Sequence, residues 1–376
     1  MTQFPTGRPT HCCIDHAALR WNLQQIRAKV GAQVKILSMV KANAYGHGAV
    51  AAAKTLHTAV GDAFGVATPD EGIELRRSGI GAPILVVAGV YQDQLEPFFA
   101  HSLTPVIYDL DGLTALESAV ERRGASLDIH LKIDTGIGRL GVLACELDSW
   151  LPRLKALKAL KIEGVLSHFS TAESVDGDFT KKQLEIFSSV VARMRAAGMT
   201  PLFHFANSAA TITQPAAYFD MVRPGIMLYG VYPSPAMARQ IQLKPVMTWQ
   251  TKILQLKKVP SGTSVSYGQT FITKRESLIA TLPVGYADGY QRLLSNRGEV
   301  LVRGERAPVT GTVCMDLTMI DVTDIRNVQQ GDEVVLLGRQ DHAEITADEM
   351  AAWANTISYE IFTSIGARVP RIHINT

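Results

Sequence analysis

The segment from residue 34 to residue 78 reads VKILSMVKANAYGHGAVAAAKTLHTAVGDAFGVATPDEGIELRRS, and its pattern decides the fold. Two short apolar runs, Val34–Val40 and Phe64–Thr68, are each followed by a polar turn. In the first turn, Gly46 and Gly48 let the chain turn tightly into the next helix. After each turn comes a stretch whose apolar residues recur three and four positions apart. The short runs predict buried strands and the longer spacing predicts amphipathic helices. The segment therefore consists of two successive strand–helix units.

The same alternation continues to Gly225 and yields eight predicted strands. They are Val34–Val40, Phe64–Thr68, Ile84–Gly89, Thr104–Tyr108, Leu127–Ile133, Ile162–His168, Leu202–Ala206 and Phe219–Arg223. The helical stretches include His47–Ala59, Pro69–Ser78, Leu113–Arg123 and Thr180–Ala197. Asp15–Val30 reads as one more helix before the first strand, with Asp15 as its N-cap. Eight such units in succession predict a closed parallel barrel surrounded by helices.

The pattern changes after about Pro245. Strand-like runs from Thr248–Val259 to Glu333–Leu337 are separated by turns rich in glycine, aspartate and asparagine, with one late helix near Thr346–Ile357. Thr346 and Glu349 would form a capping box at the start of this helix. A chain of 376 residues also exceeds what one hydrophobic core usually holds. The predicted fold class is α/β: an N-terminal eight-stranded (β/α)8 TIM-type barrel over residues 1–245, then a mostly β-strand domain over residues 246–376.

Composition restricts the class of partner. Lys and Arg number 37 against 35 Asp and Glu, so no excess of one charge favours nucleic acid or a membrane surface. No apolar run approaches the roughly 20 residues of a membrane-spanning helix, and residues 1–10 lack a secretory pattern. The cysteines form no disulfide framework, and the cluster at residues 11–16 offers no second ligand pair, so no metal is expected. We predict a cytoplasmic protein that acts on a small molecule.

Polar or ionisable residues follow five of the predicted barrel strands. In such barrels the carboxyl ends of the strands converge on one mouth, where the chemistry takes place. A single lysine at a strand end is ordinarily a solvated surface residue, whereas five coincident groups favour a functional pocket. The groups are Lys41 after strand one, Asp134 and Arg139 after strand five, His168 at strand six, Asn207 and Ser208 after strand seven, and Arg223 at strand eight.

The charge in this predicted pocket is mostly positive. Lys41, Lys132, Arg139 and Arg223 would meet few acids there, which predicts a phosphate and a carboxylate as ligands. A lysine ordinarily has a pKa of ~10.4, and amine chemistry at neutral pH needs a value of about 7. Burial and neighbouring cations can lower the pKa of Lys41 that far. The reaction class indicated is a Schiff base between Lys41 and a carbonyl cofactor.

Two other interpretations of these residues were open. Residues 136–141, GIGRLG, fit the dinucleotide pattern G-x-G-x-x-G, but no convincing acidic partner for the ribose follows a later strand. A metal hydrolase with a carbamate bridge would use Lys132, His168, His204 and Asp220 on successive late strands. That class needs a His-x-His on strand one, where residues 37–39 read LSM.

The run Val40–Gly48, VKANAYGHG, closely resembles the pyridoxal-phosphate lysine segment of the alanine racemase family. Further resemblances follow in the same order over about Cys13 to Arg371. They are Lys132–Arg139, His168 in Ser-His-Phe, Asn207–Ala210, Arg223 in Met-Val-Arg-Pro-Gly, Ser266–Gly268, Gly285–Gly289 and Cys314–Asp316. The resemblance implies pyridoxal 5'-phosphate as cofactor and the interconversion of L-alanine and D-alanine, which supplies D-alanine for peptidoglycan.

The resemblance also implies roles for single residues. Lys41 would hold the cofactor covalently and act as the base on the D-alanine side. Tyr267 would be the opposite base, on the L-alanine side, and would reach the pocket from the second subunit of a homodimer with shared active sites. Arg223 would face the pyridine nitrogen, and His168 would link Arg223 to Tyr267. Since racemisation removes a proton from one face of a carbon and returns one to the other, two bases are the simplest arrangement.

The remaining implied roles concern binding. Arg139 would bind the phenolic oxygen of the cofactor and the substrate carboxylate, which the backbone of Met315 would also contact. In several family members the lysine that matches Lys132 is carbamylated and steadies that arginine. The remaining cofactor-binding positions are Tyr45, Asn207, Ser208, Gly225 and Ile226, among which Tyr45, Ser208 and the backbone at 225–226 would hold the phosphate.

Three alternative functions stay open on the sequence. Many family members carry a tyrosine that narrows the entrance in the stretch matching Ser364–Pro370, where this chain has Ala367. A broader racemase that also accepts serine is therefore one alternative. A decarboxylase of the same plan would place an acid, not Arg223, near the ring nitrogen. A non-catalytic pyridoxal-phosphate carrier can consist of the barrel alone, without the domain that bears Tyr267.

Overall fold

The computed structural model describes residues 7–59, 61–91, 94–174 and 177–376, which form two compact units. The barrel unit comprises Leu19–Ala44 and Ala49–Lys244. The C-terminal unit comprises residues 245–376 together with two earlier pieces, residues 7–18 and 45–48. The chain thus contributes to the C-terminal unit three times. The first six residues, which belong to the stretch interpreted as lacking a secretory pattern, lie outside the described part.

Eight parallel strands close the barrel, as predicted. We number them β1 (Lys35–Met39), β2 (Ala63–Val66), β3 (Ile84–Val86), β4 (Thr104–Ile107), β5 (Leu127–Asp134), β6 (Leu160–Leu166), β7 (Leu202–His204) and β8 (Met221–Val222). Each strand pairs with the next, and β8 returns to β1 with Met221 opposite Lys35. A two-residue strand, Val142–Leu143, extends the sheet beside β5. Every barrel strand carries a fully buried apolar side chain, respectively Ile36, Phe64, Ile84, Val106, Ile129, Val165, Phe203 and Val222.

Helices alternate with the barrel strands and begin at the signals that the sequence carries. Asp15 accepts hydrogen bonds from the backbone of Ala17 and Ala18, so it caps the helix His16–Val30 as predicted. Thr68 and Glu71 form a capping box at Pro69–Arg77. The other helices of the barrel unit are Ala49–Thr58, Glu96–Ala100, Leu110–Arg123, Leu147–Ala156, Asp178–Ala196 and Ser208–Thr213. Among the residues described, no helix has the length and apolar character that crossing a bilayer requires.

The C-terminal unit consists mostly of β-strands, also as predicted. Its main sheet has the order Glu305–Pro308, Glu299–Val302, Glu333–Gln340, Met247–Lys252, His11–Asp15 and Arg371–Ile374, with Ala343–Ile345 beside Glu333–Gln340. A second sheet contains Gln255–Val259, Ser277–Leu282 and Thr318–Asp321, and a small hairpin joins Ser264–Val265 to Phe271–Ile272. Two helices, Ala347–Trp353 and Ser358–Ser364, complete the unit.

Two element boundaries in this unit differ from the prediction. The run Thr248–Val259 is two strands in different sheets, because the backbone of Ile253 bonds to Asp332 and that of Leu254 bonds to Thr281. The late helix ends at Trp353 rather than continuing to residue 357. Thr346 does cap it by accepting from Glu349 N at 3.1 Å. The Glu349 carboxylate bonds instead to Arg306, so the predicted reciprocal half of the capping box is not among the described hydrogen bonds.

Candidate active site

Lys41 directly follows β1 and stands at the head of a left-handed turn. Residues 42–45 all have φ between 51° and 54°. A left-handed backbone costs roughly 1–2 kcal/mol for each residue with a side chain, so a run of four requires fixed support. The sequence predicted a tight turn through Gly46 and Gly48, which have φ of 80° and 95°. It did not predict that the left-handed conformation begins four residues earlier, because alanine and tyrosine rarely adopt it and a single asparagine does not predict a run of four.

Side chains from neighbouring segments hold this turn. The carboxylate of Glu71 accepts from the backbone N–H of Ala42 at 2.6 Å and from that of Ala67 at 2.7 Å. The side-chain oxygen of Asn43 accepts from Ala49 N at 2.8 Å. These contacts tie the turn to the helices on both sides of β2. The direction in which the chain leaves Lys41 is therefore fixed by hydrogen bonds rather than by local preference.

The pKa of Lys41 is lowered from its ordinary value. Burial is the main cause, the positive charge of Arg139 adds to it, and the carboxylate of Glu71 acts in the opposite direction. The predicted direction and both predicted causes are thus confirmed. A larger neutral fraction of this amine is available at neutral pH than a surface lysine would have.

Lys132 on β5 is only 5% exposed. Burial and the charges of Arg139 and Arg223 lower its pKa to about 8, although Asp134 opposes the shift. An amine with that pKa is partly neutral near pH 7.5, which is the form that reacts with carbon dioxide. Lys132 also feels the charge of Lys41, so these cations lie close enough to influence one another.

Arg139 lies on the exposed loop after β5. The Asp134 carboxylate organises this loop by accepting from the backbone N–H groups of Gly136, Ile137 and Gly138 at 2.8–3.3 Å. These are amides of the G-x-G-x-x-G pattern, and here they bond to the protein's own carboxylate rather than facing outward. The pattern continues into a short strand and a 3₁₀ turn, whereas a dinucleotide site needs a helix at that point.

Arg223 follows β8 and is 5% exposed. One terminal nitrogen donates to His204 Nδ1 at 3.0 Å and to the His204 carbonyl at 2.8 Å. The other donates to the carbonyls of Ser167 and Phe205. A guanidinium has five N–H donors, so the contacts described leave only Nε–H for a ligand. Burial lowers the pKa of Arg223 to about 9, which still leaves it a cation at neutral pH.

His168 follows β6 and stays neutral. Burial is the main cause that holds its pKa well below the usual range, and four positive charges add to it, those of Arg223, Arg139, Lys132 and Lys41. A residue that the sequence interpretation missed holds the backbone here. Gln183 is fully buried, donates to the His168 carbonyl at 3.2 Å and accepts from Ser170 N at 3.0 Å.

Ser208 follows β7 and Gly225 follows β8, and the two residues are in contact. The backbone N–H of Gly225 donates to Ser208 Oγ at 2.8 Å, which leaves the hydroxyl hydrogen of Ser208 free to be donated. Asn207 has a different task, since its side-chain oxygen caps the helix Ser208–Thr213 by accepting from Ala210 N at 3.0 Å. Ile226 is fully buried beside Gly225 in the chain.

In the C-terminal unit, Tyr45 is buried and its ring centroid lies 6.0 Å from that of Tyr359. Burial, and secondarily Tyr359, raise the pKa of Tyr45, so its phenol stays protonated. Gly46 comes next, and a Cβ there would lie 2.3 Å from the Phe362 carbonyl oxygen, which is closer than any side chain permits. The resemblance placed the tyrosine that narrows the entrance at the position of Ala367, which is exposed. Tyr359 was not among the predicted site residues.

Tyr267 is the most exposed large hydrophobic side chain described, at 72%. Its backbone is nevertheless well held: Thr312 Oγ1 donates to the Tyr267 carbonyl at 2.9 Å, and Ser266 Oγ donates to the Thr312 carbonyl at 2.5 Å. Ser266 also lies 3.3 Å from Cys314 Sγ. These contacts join Tyr267 to the loop that carries Met315, which is 52% exposed.

A buried carboxylate supports the loop that contains Met315. Asp288 is fully buried and accepts from Arg8, from Arg368 and from the backbone of Gly285. Arg368 also bonds to Asp316, the residue after Met315. These hydrogen bonds and the two guanidinium charges keep the pKa of Asp288 low even though its burial acts to raise it.

The structure brings the predicted residues together in two groups. Within the barrel unit, mutual electrostatic influence links Lys41, Lys132, Arg139, His168 and Arg223. Within the C-terminal unit, hydrogen bonds link Tyr267 to the segment before Met315. The residues proposed for a metal hydrolase have other partners, since both ring nitrogens of His204 and the Asp220 carboxylate bond inside the barrel. Among the residues described, no group of three His, Cys, Asp or Glu could hold a metal ion.

Comparison with known proteins identifies a single family. The model of the alanine racemase N-terminal domain matches residues 14–233, and that of the alanine racemase C-terminal domain matches residues 246–373. An alanine racemase of Halothermothrix orenii is 46% identical over 98% of this chain and 97% of its own length. The solved alanine racemase of Streptomyces lavendulae has a TM-score of 0.93 at 34% identity and covers 98% of both chains. That of Bacillus anthracis with bound L-Ala-P has a TM-score of 0.92 at 36% identity, covering 98% of this chain and 96% of its own.

Proposed function

The chain belongs to the alanine racemase family and is an isomerase of that kind, and on this premise we propose that it interconverts L-alanine and D-alanine with pyridoxal 5'-phosphate by a two-base mechanism. The observation that carries the proposal is the partly buried lysine after β1, whose pKa is lowered by burial and by a neighbouring arginine. Such a lysine can form an imine with an aldehyde at neutral pH.

The donors around Lys41 suit an anionic pyridine cofactor. Arg223 keeps one donor, Nε–H, for a ring nitrogen, and Ser208 keeps its hydroxyl hydrogen for a phosphate oxygen. In the proposal, Tyr45 and the backbone at Gly225–Ile226 complete the phosphate site, and Asn207 supports it by capping the helix that begins at Ser208. When bound, pyridoxal 5'-phosphate supplies an aldehyde for the amino group and a ring that withdraws electrons from the α-carbon.

Lys41 and Tyr267 would be the two bases. In the proposal, the Lys41 amine exchanges the α-proton on the D-alanine side and the Tyr267 phenol exchanges it on the L-alanine side. Tyr267 is exposed on its own subunit, which fits a residue that completes the active site of a partner subunit. We therefore propose a homodimer with shared active sites, in which the C-terminal domain of one subunit serves the barrel of the other.

Arg223 and His168 would set the electrostatics of the site. Arg223 remains a cation and does not readily give its proton to a ring nitrogen, so the ring would stay a weak electron sink. An arginine in this position would therefore disfavour amino transfer and favour racemisation. The neutral His168 would link Arg223 to Tyr267 by accepting a hydrogen bond at one ring nitrogen and donating one from the other, without adding a positive charge. An acid near the ring nitrogen, as in a decarboxylase of this plan, would have the opposite effect.

The substrate carboxylate would bind to Arg139 and to the backbone of Met315. Arg139 lies on a loop that the Asp134 carboxylate organises, and Met315 lies on the loop next to Asp316, which Arg368 holds. Lys132, with its pKa lowered to about 8, would carry a carbamate that steadies Arg139. In cells the reaction would supply D-alanine for peptidoglycan, and we place it in the cytoplasm.

The deciding experiment measures the loss of optical rotation of pure L-alanine and of pure D-alanine, with and without added pyridoxal 5'-phosphate. Racemisation in both directions with cofactor supports the proposal, and a colourless protein that leaves alanine unchanged overturns it. A yellow but inactive protein would favour the pyridoxal-phosphate carrier. L-serine is assayed in parallel, and turnover comparable to that of L-alanine would favour the broader racemase.

The shared site has its own test. Subunits with Lys41→Ala and subunits with Tyr267→Phe are inactive separately under the proposal. Random mixing makes half of the dimers heterodimers with one intact site of two, so about a quarter of the wild-type activity should return. A mixture that stays inactive, although subunit exchange is verified by mass, would contradict a site built from two subunits.

A further inference from the structure

A line of polar side chains runs from Arg223 through the inside of the barrel to its surface. Arg223 donates to His204 Nδ1 at 3.0 Å, His204 Nε2 lies 2.8 Å from His130 Nδ1, and His130 Nε2 lies 3.5 Å from the Glu163 carboxylate. His204 is fully buried and His130 is 3% exposed, whereas the Glu163 side chain is 36% exposed. Three barrel strands, β5, β6 and β7, contribute these residues.

The chemistry of the groups determines where each hydrogen lies. Arg223 can only donate, so His204 Nδ1 accepts and the hydrogen of neutral His204 is on Nε2. That hydrogen is donated to His130 Nδ1, which places the hydrogen of His130 on Nε2, toward Glu163. Only one arrangement of hydrogens satisfies all three contacts, and it ends on a negative charge. The rings cross at 80°, with centroids 4.9 Å apart, as the contact requires.

The backbone is shaped for this contact. The register between β5 and β6 shifts so that Ile129 pairs with Ile162 and His130 pairs with Gly164, which leaves Glu163 as an extra residue. Such a bulge changes the direction in which a side chain points. A Cβ on Gly164 would lie 2.4 Å from the His130 ring, so glycine is needed beside it. The backbone bulge and the glycine next to the His130 ring therefore indicate that the fold positions this ring specifically against His204.

We propose that Glu163, His130 and His204 form an ordered relay that fixes the orientation of Arg223, so that its Nε–H alone faces the cofactor ring. His204 and His130 are positioning residues, and Glu163 anchors the relay at the surface. The inference rests on the proposed function only in assigning a ring nitrogen to Arg223. Through the relay, the Glu163 carboxylate would affect how Arg223 is held and therefore how strongly the cofactor ring withdraws electrons.

The alternative tautomer shows why the order matters. With its hydrogen on Nδ1, His204 would present a donor to the Arg223 donor, and the guanidinium would have to turn away. His130 prevents this by offering an acceptor to Nε2–H. Burial, and after it the positive charge of Arg223, hold the pKa of His204 well below its usual range, so the acceptor on Nδ1 persists into acid.

The first test determines which ring nitrogen of His130 and of His204 carries the hydrogen. Full-length, cofactor-loaded protein labelled with ¹⁵N-histidine is examined by solid-state NMR at pH 7.5, and His130 and His204 are assigned from the signals that each loses in an asparagine variant. Both should show the hydrogen on Nε2. An Nδ1–H tautomer or an imidazolium at either residue would overturn the relay, and this result does not depend on whether the protein racemises alanine.

The second test uses matched variants at His130. The side-chain oxygen of His130→Asn can replace Nδ1 as acceptor, whereas His130→Leu cannot. His130→Leu should lower kcat roughly tenfold with little change in KM, as removal of an orienting partner typically does, and should raise the rate of cofactor loss by amino transfer per turnover. His130→Asn should restore kcat to within about twofold. Equal losses in both variants, at matched thermal stability, would show a packing role and overturn the proposal.

The surface anchor allows a test that leaves the interior intact. Glu163→Gln removes the charge, and Glu121→Gln on the exposed face of Leu110–Arg123 is the control. Only Glu163→Gln should shift the His130 Nε2 signal and raise the frequency of amino transfer, by about two- to threefold. No change in either readout would remove Glu163 from the relay. Failure of wild-type racemisation with intact tautomers would instead count against the proposed function.

Discussion

The two groups of candidate site residues differ in how they are held. In the barrel unit, Lys41 is partly buried and Arg223 is buried. Burial lowers the pKa of both, and the charge of Arg139 lowers that of Lys41 further. In the C-terminal unit, Tyr267 is 72% exposed and only its backbone is fixed. The environment that shifts the pKa values of the barrel group lies within the barrel unit itself. The Tyr267 phenol, by contrast, is held in position by its backbone, while its side chain is exposed. The difference predicts that cofactor binding depends on the first group and stereochemical inversion on both.

Lys41→Ala tests the barrel group and should have the largest effect. Without the amine no covalent cofactor linkage forms and one of the two bases is lost, so turnover should fall by roughly 10⁴-fold or more. The measurements are visible absorbance after gel filtration and borohydride reduction followed by peptide mass analysis. Lys54→Ala, on the exposed face of Ala49–Thr58, is the matched control. A reducible lysine linkage that persists in Lys41→Ala would contradict the assignment.

Tyr267→Phe tests the exposed group. The variant should keep its bound cofactor and lose roughly 10²–10⁴-fold in racemisation, the usual contribution of a general base. Exchange of the α-proton of D-alanine with solvent deuterium should persist, because Lys41 serves that side, whereas exchange in L-alanine should be lost. NMR of each isomer in deuterated water measures both rates, and Tyr91→Phe, another exposed tyrosine, is the control. Unchanged racemisation would refute the two-base mechanism.

Acid should destabilise the barrel unit through its neutral histidines. The folded-state pKa of His168 lies below its ordinary value of 6.5, so the unfolded chain binds the extra proton first as pH falls. The stability due to this histidine is complete above about pH 6.5 and is lost below it at about 1.4 kcal/mol per pH unit. The midpoint of thermal unfolding should fall less between pH 7 and pH 5 in His168→Gln. Exposed His342→Gln is the control, and equal pH dependence in all three proteins would contradict this cause.

Lys132 provides a smaller test of the barrel group. Because its pKa is lowered to about 8, its neutral amine should form a carbamate with carbon dioxide and release a proton. ¹³C NMR after growth or incubation with ¹³C-bicarbonate should show one carbamate signal per subunit, absent in Lys132→Ala. The variant should raise KM for alanine several-fold, since Arg139 loses a partner, and acetate should partly restore it. Absence of the carbamate signal in the wild-type protein would contradict the carbamate at Lys132.

The smallest effect is expected at Ala367. Tyr359 already places a phenol beside Tyr45, and Ala367 is exposed. Ala367→Tyr should therefore change the ratio of serine to alanine turnover by less than about twofold, whereas Tyr359→Ala should raise it about tenfold by removing side-chain volume. Competition assays with both amino acids measure the ratio. A large drop in serine turnover in Ala367→Tyr would restore Ala367 as the determinant of substrate range.

Local patterns were sufficient for the architecture and for several of the chemical groups. The eight strands, the caps at Asp15 and Thr346 and the strand-end placement of Lys41 follow from spacing and turn chemistry within short windows. Three features could not be predicted in this way. The left-handed turn depends on Glu71, the Tyr45–Tyr359 contact spans 314 residues of sequence, and the relay depends on a bulge between β5 and β6. Each arises from contacts between distant segments, for which periodicity carries no signal.

The main sheet of the C-terminal unit has a consequence for synthesis on the ribosome. Its strand His11–Asp15 pairs in parallel with Arg371–Ile374, so His11–Asp15 must wait for a segment that is made much later. The barrel strands all lie between residues 35 and 222 and can close while the chain is still growing. Until Arg371–Ile374 emerges, the edge of His11–Asp15 toward it lacks its partner. The nascent protein therefore exposes a strand edge that a chaperone or a neighbouring chain could bind.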